Sequence, residues 1–165
     1  MERAFGALTE QELTELGIAI GRELAGIARG VVVALRGELG AGKSVLARAI
    51  ARGAGVDAPM PSPTFNLVFR YTTPSGRTVA HLDLYRLDDP DDVWELGWEE
   101  LSDGEEITLV EWPERAGDLL PADRWDILLR HGALPELRSV TIEAVGDAPP
   151  IPVSLAERTW GAEAG

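Results

Sequence analysis

The stretch Gly37-Glu38-Leu39-Gly40-Ala41-Gly42-Lys43-Ser44 matches the pattern G-x-x-x-x-G-K-[ST]. An apolar run, Val31-Val32-Val33-Ala34-Leu35, precedes it and reads as a buried strand, and a helical pattern begins near Lys43. Strand, glycine-rich turn and helix in that order form a phosphate cradle. The glycines let successive backbone N–H groups turn inward on an anion, the helix N-terminus adds positive potential, and a lysine ammonium bridges β- and γ-phosphates. In this reading the backbone of Glu38, Leu39, Gly40, Ala41 and Gly42 lines the cradle with Lys43, and the Ser44 hydroxyl is suited to Mg2+. The chain holds fourteen arginines and a single lysine, Lys43. A compact ammonium inside a phosphate cradle is not replaceable by a planar guanidinium, so the one lysine falls where the chemistry needs it.

Composition bounds the rest. A chain of 165 residues suits one domain able to bury a core. No apolar stretch approaches the ~20 residues that span a bilayer. The start, Met1-Glu2-Arg3-Ala4, lacks a basic region followed by an apolar one, so a cytoplasmic location and no membrane contact are expected. The absence of cysteine excludes disulfide frameworks, thiolate metal sites and cysteine nucleophiles. A formal net charge of −13 repels a polyphosphate backbone, so no direct nucleic-acid binding by the chain alone is expected. That charge does not oppose ATP, because salt screens distant carboxylates over ~8 Å while the cradle acts at contact range.

Thr9-Glu10-Gln11-Glu12 has the form of a capping box, and Leu13, Leu16, Ile20, Leu24 and Ile27 recur at helical spacing. These predict a helix over about 10–28, although Gly17, Gly21 and Gly26 lower its propensity and make it depend on packing. A second helix is expected over 43–53, with Ala47, Ile50 and Ala51 facing a sheet. Three prolines within five positions make 54–64 a stiff loop, either a plain connection or a segment reaching the γ-phosphate through Ser62 or Thr64. The runs 65–71 and 77–84 flank Thr72-Thr73-Pro74-Ser75-Gly76 and predict an antiparallel hairpin.

Val79, His81 and Asp83 share one face of the second strand. His81 taken singly reads as structural. Asp83 ends an apolar strand at the edge where open α/β sheets bind ligands, near a metal or an attacking water. The acidic run Asp88-Asp89-Pro90-Asp91-Asp92 reads as the start of a short helix over 93–98; it lacks the glycine and terminal glutamate of a calcium loop. Ile107-Thr108-Leu109-Val110-Glu111 carries a carboxylate to a strand end, as expected of the acid that holds Mg2+, with Trp112 beside the nucleotide. Runs 125–130 and 139–144 predict a second hairpin. The expected organisation is an ATPase domain over 1–146 and a mobile Pro/Ala-rich tail over 147–165, in which 153–160 has weak helical character.

Four motifs in this order, GELGAGKS (37–44), SPTF (62–65), HLDLYR (81–86) and EWPER (111–115), resemble the TsaE (YjeE) family of small bacterial P-loop ATPases. The resemblance spans about residues 9–144. It implies a P-loop NTPase-like three-layer α/β sandwich whose mixed, mainly parallel sheet includes antiparallel hairpin strands. It also implies a role in N6-threonylcarbamoyl modification of adenosine 37 in tRNA, with ATP bound and hydrolysed in the company of TsaB and TsaD, and tRNA engaged only through that complex. Carried onto this chain, the resemblance gives Lys43 and the 38–44 backbone to the phosphates, Ser44 and Glu111 to Mg2+, Thr64 to a switch-like loop and Asp83 to the attacking water. Trp112 becomes an aromatic beside the site. Ser44 stands where many relatives have threonine, which keeps the hydroxyl.

Three other readings share the loop. A small-molecule kinase needs an acceptor pocket and an Arg-rich lid, which residues 115–138 do not clearly supply. A GTPase needs a guanine-reading Asn-Lys-x-Asp, which a chain with one lysine cannot contain. In a nucleotide-gated assembly factor, ATP occupancy holds a complex together and hydrolysis matters little.

Overall fold

The computed structural model describes residues 2–60, 68–89, 92 and 104–156. Its elements are β1 (Glu2–Leu8), α1 (Glu10–Ala25), β2 (Val31–Arg36), α2 (Lys43–Gly53), β3 (Val68–Thr72), β4 (Thr78–Asp83) and β5 (Ile107–Glu111). A 3-10 segment (Pro113–Leu119), β6 (Arg124–His131), β7 (Arg138–Val145) and the short helix α3 (Val153–Ala156) complete them. The expected helix over 93–98 lies outside the described residues, as do Ser62 and Thr64.

The strands form one seven-stranded sheet in the order β1-β7-β6-β2-β5-β4-β3. The inner four, β6, β2, β5 and β4, pair in parallel. Antiparallel pairings of β1 with β7, β7 with β6 and β3 with β4 flank them. Both expected hairpins are present. β1 is a strand the sequence did not predict. Gly6 offers nothing to pack, and Ala7 adopts a positive φ of 54° at an irregularity between Phe5 and Leu8, so the alternation that marks a strand is broken.

Strand alternation sorts side chains between two cores. Val31, Val33, Leu35, Val79, Ile107 and Leu109 face the side covered by α1 and α2. Val32, Ala80, Leu82 and Val110 face the other, where Leu84, Leu87 and Ala116 cover them. By the same period of two, His81, Asp83 and Glu111 belong to the face that α2 covers.

Thr9 caps α1 through a complete capping box with Glu12. The helix ends at Ala25, where Gly26 closes it. Gly17 and Gly21, costly for an isolated helix, are where α1 meets α2. A methyl on Gly21 would collide with the Ile50 carbonyl, and one on Gly53 would collide with the Ile18 carbonyl. The two helices therefore pack backbone to backbone.

Residues 147–156 are not a loose tail. Trp125 Nε1 donates to Pro149 O at 2.7 Å, Asp147 N donates to Asp123 Oδ1 at 2.7 Å, and Ser154 Oγ donates to Glu23 Oε1 at 2.7 Å. Ile151 and Leu155 are buried in the helix-side core. Sparse apolar residues in a proline-rich stretch carry no periodicity, so their burial is invisible until the groove beside α1 exists.

Candidate functional site

β2 and β5 run in parallel with Leu35 opposite Glu111, and β4 and β5 run with Asp83 opposite Glu111. Both strand-end carboxylates thus reach the edge of the sheet where the chain leaves β2 for the glycine-rich loop. Gly40 and Gly42 hold φ of 80° and 104° in that loop, conformations open to glycine and strained for other residues. Gly42 caps α2, so Lys43 and Ser44 occupy its first turn. Lys43, Ser44, Asp83, Glu111, Trp112 and Tyr85 line one cleft of about 340 Å3. A larger cavity of about 620 Å3 lies on the β6 side, bordered by Gly37, Glu38, Trp112, Glu114 and His131. The residues able to handle a phosphate and a cation are in the smaller cleft. Trp112 separates the two.

Lys43 Nζ donates to Gly37 O at 2.6 Å and to Glu38 O at 2.8 Å, and lies 4.0 Å from the centre of the Trp112 ring. An ammonium has three N–H donors, so two anchor the side chain across the loop and one is left for a ligand. Burial lowers the Lys43 pKa from its ordinary value, opposed by the charges of Glu111, Glu114 and Asp83. The Trp112 ring also packs on Tyr85, with centroids 4.9 Å apart. Trp112 itself is left-handed, at φ 57° and ψ 50°. That conformation costs about 1–2 kcal/mol for a bulky residue and turns the chain sharply between Glu111 and Pro113.

Ser44 Oγ donates to Glu111 Oε1 at 2.7 Å, and His81 Nε2 lies 2.6 Å from Glu111 Oε2. His81 and Glu111 are both almost wholly buried. His81 Nδ1 has no hydrogen-bond partner among the described residues, so the ring's one polar contact is with Glu111. Each carboxylate oxygen is therefore held, one by a hydroxyl and one by an imidazole. The oxygens of Ser44 and Glu111 make a hard donor pair suited to Mg2+. Asp83 Oδ1 accepts the Tyr85 N–H at 3.0 Å. Burial, reinforced by the charge of Glu111, raises the Asp83 pKa, while the Tyr85 hydrogen bond, His81 and Lys43 oppose the rise.

The structure brings Lys43, Ser44, Asp83, Glu111 and Trp112 together with Leu39, Gly40 and Gly42 in one cleft; Glu38 borders the larger cavity, and the Ala41 N–H is turned onto Glu38 O. Leu39 projects from the loop and is 72% exposed, whereas Ala41 is fully buried. Thr64 lies outside the described residues. Two side chains enlarge the set. His81, read singly as structural, grips Glu111; its place two residues before Asp83 was the available signal. Arg138 contacts the loop from β7, and no sequence pattern marks it.

A family model described as threonylcarbamoyl adenosine biosynthesis protein TsaE matches residues 8–139. The chain is 34% identical over 116 residues to the Haemophilus influenzae tRNA threonylcarbamoyladenosine biosynthesis protein TsaE, covering 70% of this chain and 72% of that protein. It is 39% identical over 131 residues to the protein of the same name from a Nostoc species, covering 76% of each. Among solved structures, the crystal structure of Bacillus subtilis YdiB superposes with a TM-score of 0.71 at 24% identity, covering 89% of this chain and 88% of that one. No helix among the described residues is long and apolar enough to cross a membrane.

Proposed function

Because the chain belongs to the TsaE family of threonylcarbamoyl adenosine biosynthesis proteins, we propose that it binds ATP with Mg2+ in the cleft between the glycine-rich loop and the ends of β4 and β5, and hydrolyses it in support of that tRNA modification. It acts with TsaB and TsaD, which hold the tRNA that a chain of net charge −13 would repel, and it works in the cytoplasm. The observation that carries this reading is the convergence of Lys43, Ser44, Asp83 and Glu111 on one cleft.

The loop amides and the third Lys43 N–H bind the β- and γ-phosphates. Ser44 Oγ and Glu111 hold Mg2+, which when bound supplies neutralisation of the phosphate charge. Asp83, fixed through Oδ1 by the Tyr85 N–H, orients the attacking water and accepts its proton on the second oxygen. Its raised pKa makes it a better acceptor than an ordinary aspartate. Phosphoryl transfer depends mostly on positioning, so a slow isolated protein stimulated by its partners is the expected behaviour.

ATPase activity and tRNA modification are measured with and without TsaB and TsaD. The wild type is stimulated, and Lys43→Ala loses nucleotide binding or turnover while remaining folded. Normal stimulation of Lys43→Ala would overturn the assignment. An Asp83→Asn variant that binds ATP and still supports repeated rounds of modification would transfer the role to nucleotide-gated assembly.

A further inference from the structure

Arg138, the first residue of β7, reaches the glycine-rich loop from 97 residues beyond Ala41. Its Nε donates to Ala41 O at 3.1 Å and its Nη2 to Gly40 O at 3.3 Å. Its Nη1 donates to Pro135 O at 2.5 Å and Leu137 O at 2.9 Å, in the turn between β6 and β7. One guanidinium thus joins two consecutive loop carbonyls to a hairpin turn.

A trans peptide sets its N–H opposite its C=O, so fixing the Ala41 carbonyl outward also fixes the direction of the Gly42 N–H. Gly40 and Gly42, with φ of 80° and 104°, flank the Ala41 residue. Glycines permit peptide rotation at little steric cost; within the loop the Ala41 N–H donates to Glu38 O at 3.0 Å and holds the Gly40–Ala41 peptide, while the Ala41–Gly42 peptide is held through its carbonyl by Arg138. Only an arginine supplies a planar fork with donors for both loop carbonyls and the turn at once. We propose that Arg138 is a positioning residue for the phosphate loop, bracing the Gly40 and Ala41 carbonyls so that the Gly42 N–H is oriented before the nucleotide arrives. The proposal rests on the nucleotide reading of this loop.

The test uses the full chain as wild type, Arg138→Gln and Arg138→Lys. ADP affinity is measured by calorimetry, hydrogen exchange over residues 37–46 is measured without nucleotide, and partner-stimulated kcat is measured at saturating ATP. Arg138→Gln is expected to bind ADP about ten-fold more weakly and to exchange faster over 37–46, with kcat changed less than about two-fold. Arg138→Lys, which keeps a charge without the fork, falls between. Wild-type ADP affinity with wild-type exchange over 37–46 in folded Arg138→Gln overturns the proposal, as does faster exchange confined to residues 132–137, the result of a purely hairpin role. If Arg138→Gln does not fold, Arg138→Lys decides on the same readouts: weaker ADP binding with faster loop exchange supports the proposal, and wild-type values overturn it. A wild type that bound no ADP would overturn the nucleotide reading, whereas the exchange comparison still judges whether Arg138 holds the loop.

Discussion

At the scale of single residues, burial opposes the charged form of both Lys43 and Asp83. Burial raises the Asp83 pKa above its ordinary 3.8. Between 3.8 and the raised value the folded protein holds a proton that the unfolded chain has released, so stability falls as pH rises through that window and stays lower above it. Asp83→Asn removes this penalty and keeps an acceptor for the Tyr85 N–H. The variant is expected to melt above wild type near pH 7, with the gap closing as pH falls through that window and gone below about 4. Equal melting temperatures at neutral pH would show that the buried charge is not destabilising. Trp112 offers an optical readout of the same cleft. With Lys43 Nζ 4.0 Å from its ring, a phosphate that takes up the third Lys43 N–H changes the charge facing the indole. Tryptophan emission should shift on ADP addition in wild type and not in Trp112→Phe, while calorimetry still detects binding by the variant. A full signal in Trp112→Phe would place the reporter at another of the five tryptophans.

Elements impose their own requirements, and the contact between α1 and α2 is the most exacting. Gly21 sits where the helix backbones nearly touch, so a Cβ there meets Ile50 O and the Ala54 amide, neither of which can rotate away. Gly21→Ala is expected to destabilise by about 2–3 kcal/mol in urea titration, the scale of an overpacked core. Gly26, the C-cap, has φ of −79° and would place a Cβ only against carbonyls of its own helix. Gly26→Ala should change stability by less than about 1 kcal/mol, because helix propensity and chain entropy are then all that differ. Two glycines five residues apart thus serve different ends. From the sequence alone each reads as a weakness in a helix. Only the position of α2 separates the one that packing demands from the one it tolerates.

For the molecule as a whole, residues 147–156 after β7 complete the core rather than trail from it. Leu155 is fully buried beside α1, and Pro149 O accepts the hydrogen bond of the buried Trp125 indole. Leu155→Ala is expected to cost about 2–4 kcal/mol, measured as a lower urea midpoint at unchanged slope. A loss under ~0.5 kcal/mol would mean that residues 147–156 are dispensable to the fold. Arg77 performs a comparable service at the opposite edge of the sheet. It donates to Glu105 O, Ile27 O and Arg29 O and so ties the exits of α1 to the approach to β5. Such long-range arginine-to-carbonyl ties leave no mark in composition or periodicity.

What could be read from the chain was what neighbouring residues impose on one another. The glycine spacing around Lys43 defines a phosphate loop, the Thr9 to Glu12 box starts a helix, apolar runs ending in Asp83 and Glu111 read as strands with acidic ends, and turn residues between β-like runs read as hairpins. These follow from local sterics and from periods of two and 3.6, which hold whatever the rest of the chain does. The tertiary structure alone placed β5 between β2 and β4, set Asp83 opposite Glu111, brought the His81 imidazole onto that carboxylate, seated residues 147–156 along the start of β6 and against α1 and carried Arg138 back to the loop. Those outcomes depend on which strands become neighbours and on how closely two helices approach. Both are settled by burial summed over the whole molecule, a quantity that no short stretch of sequence contains.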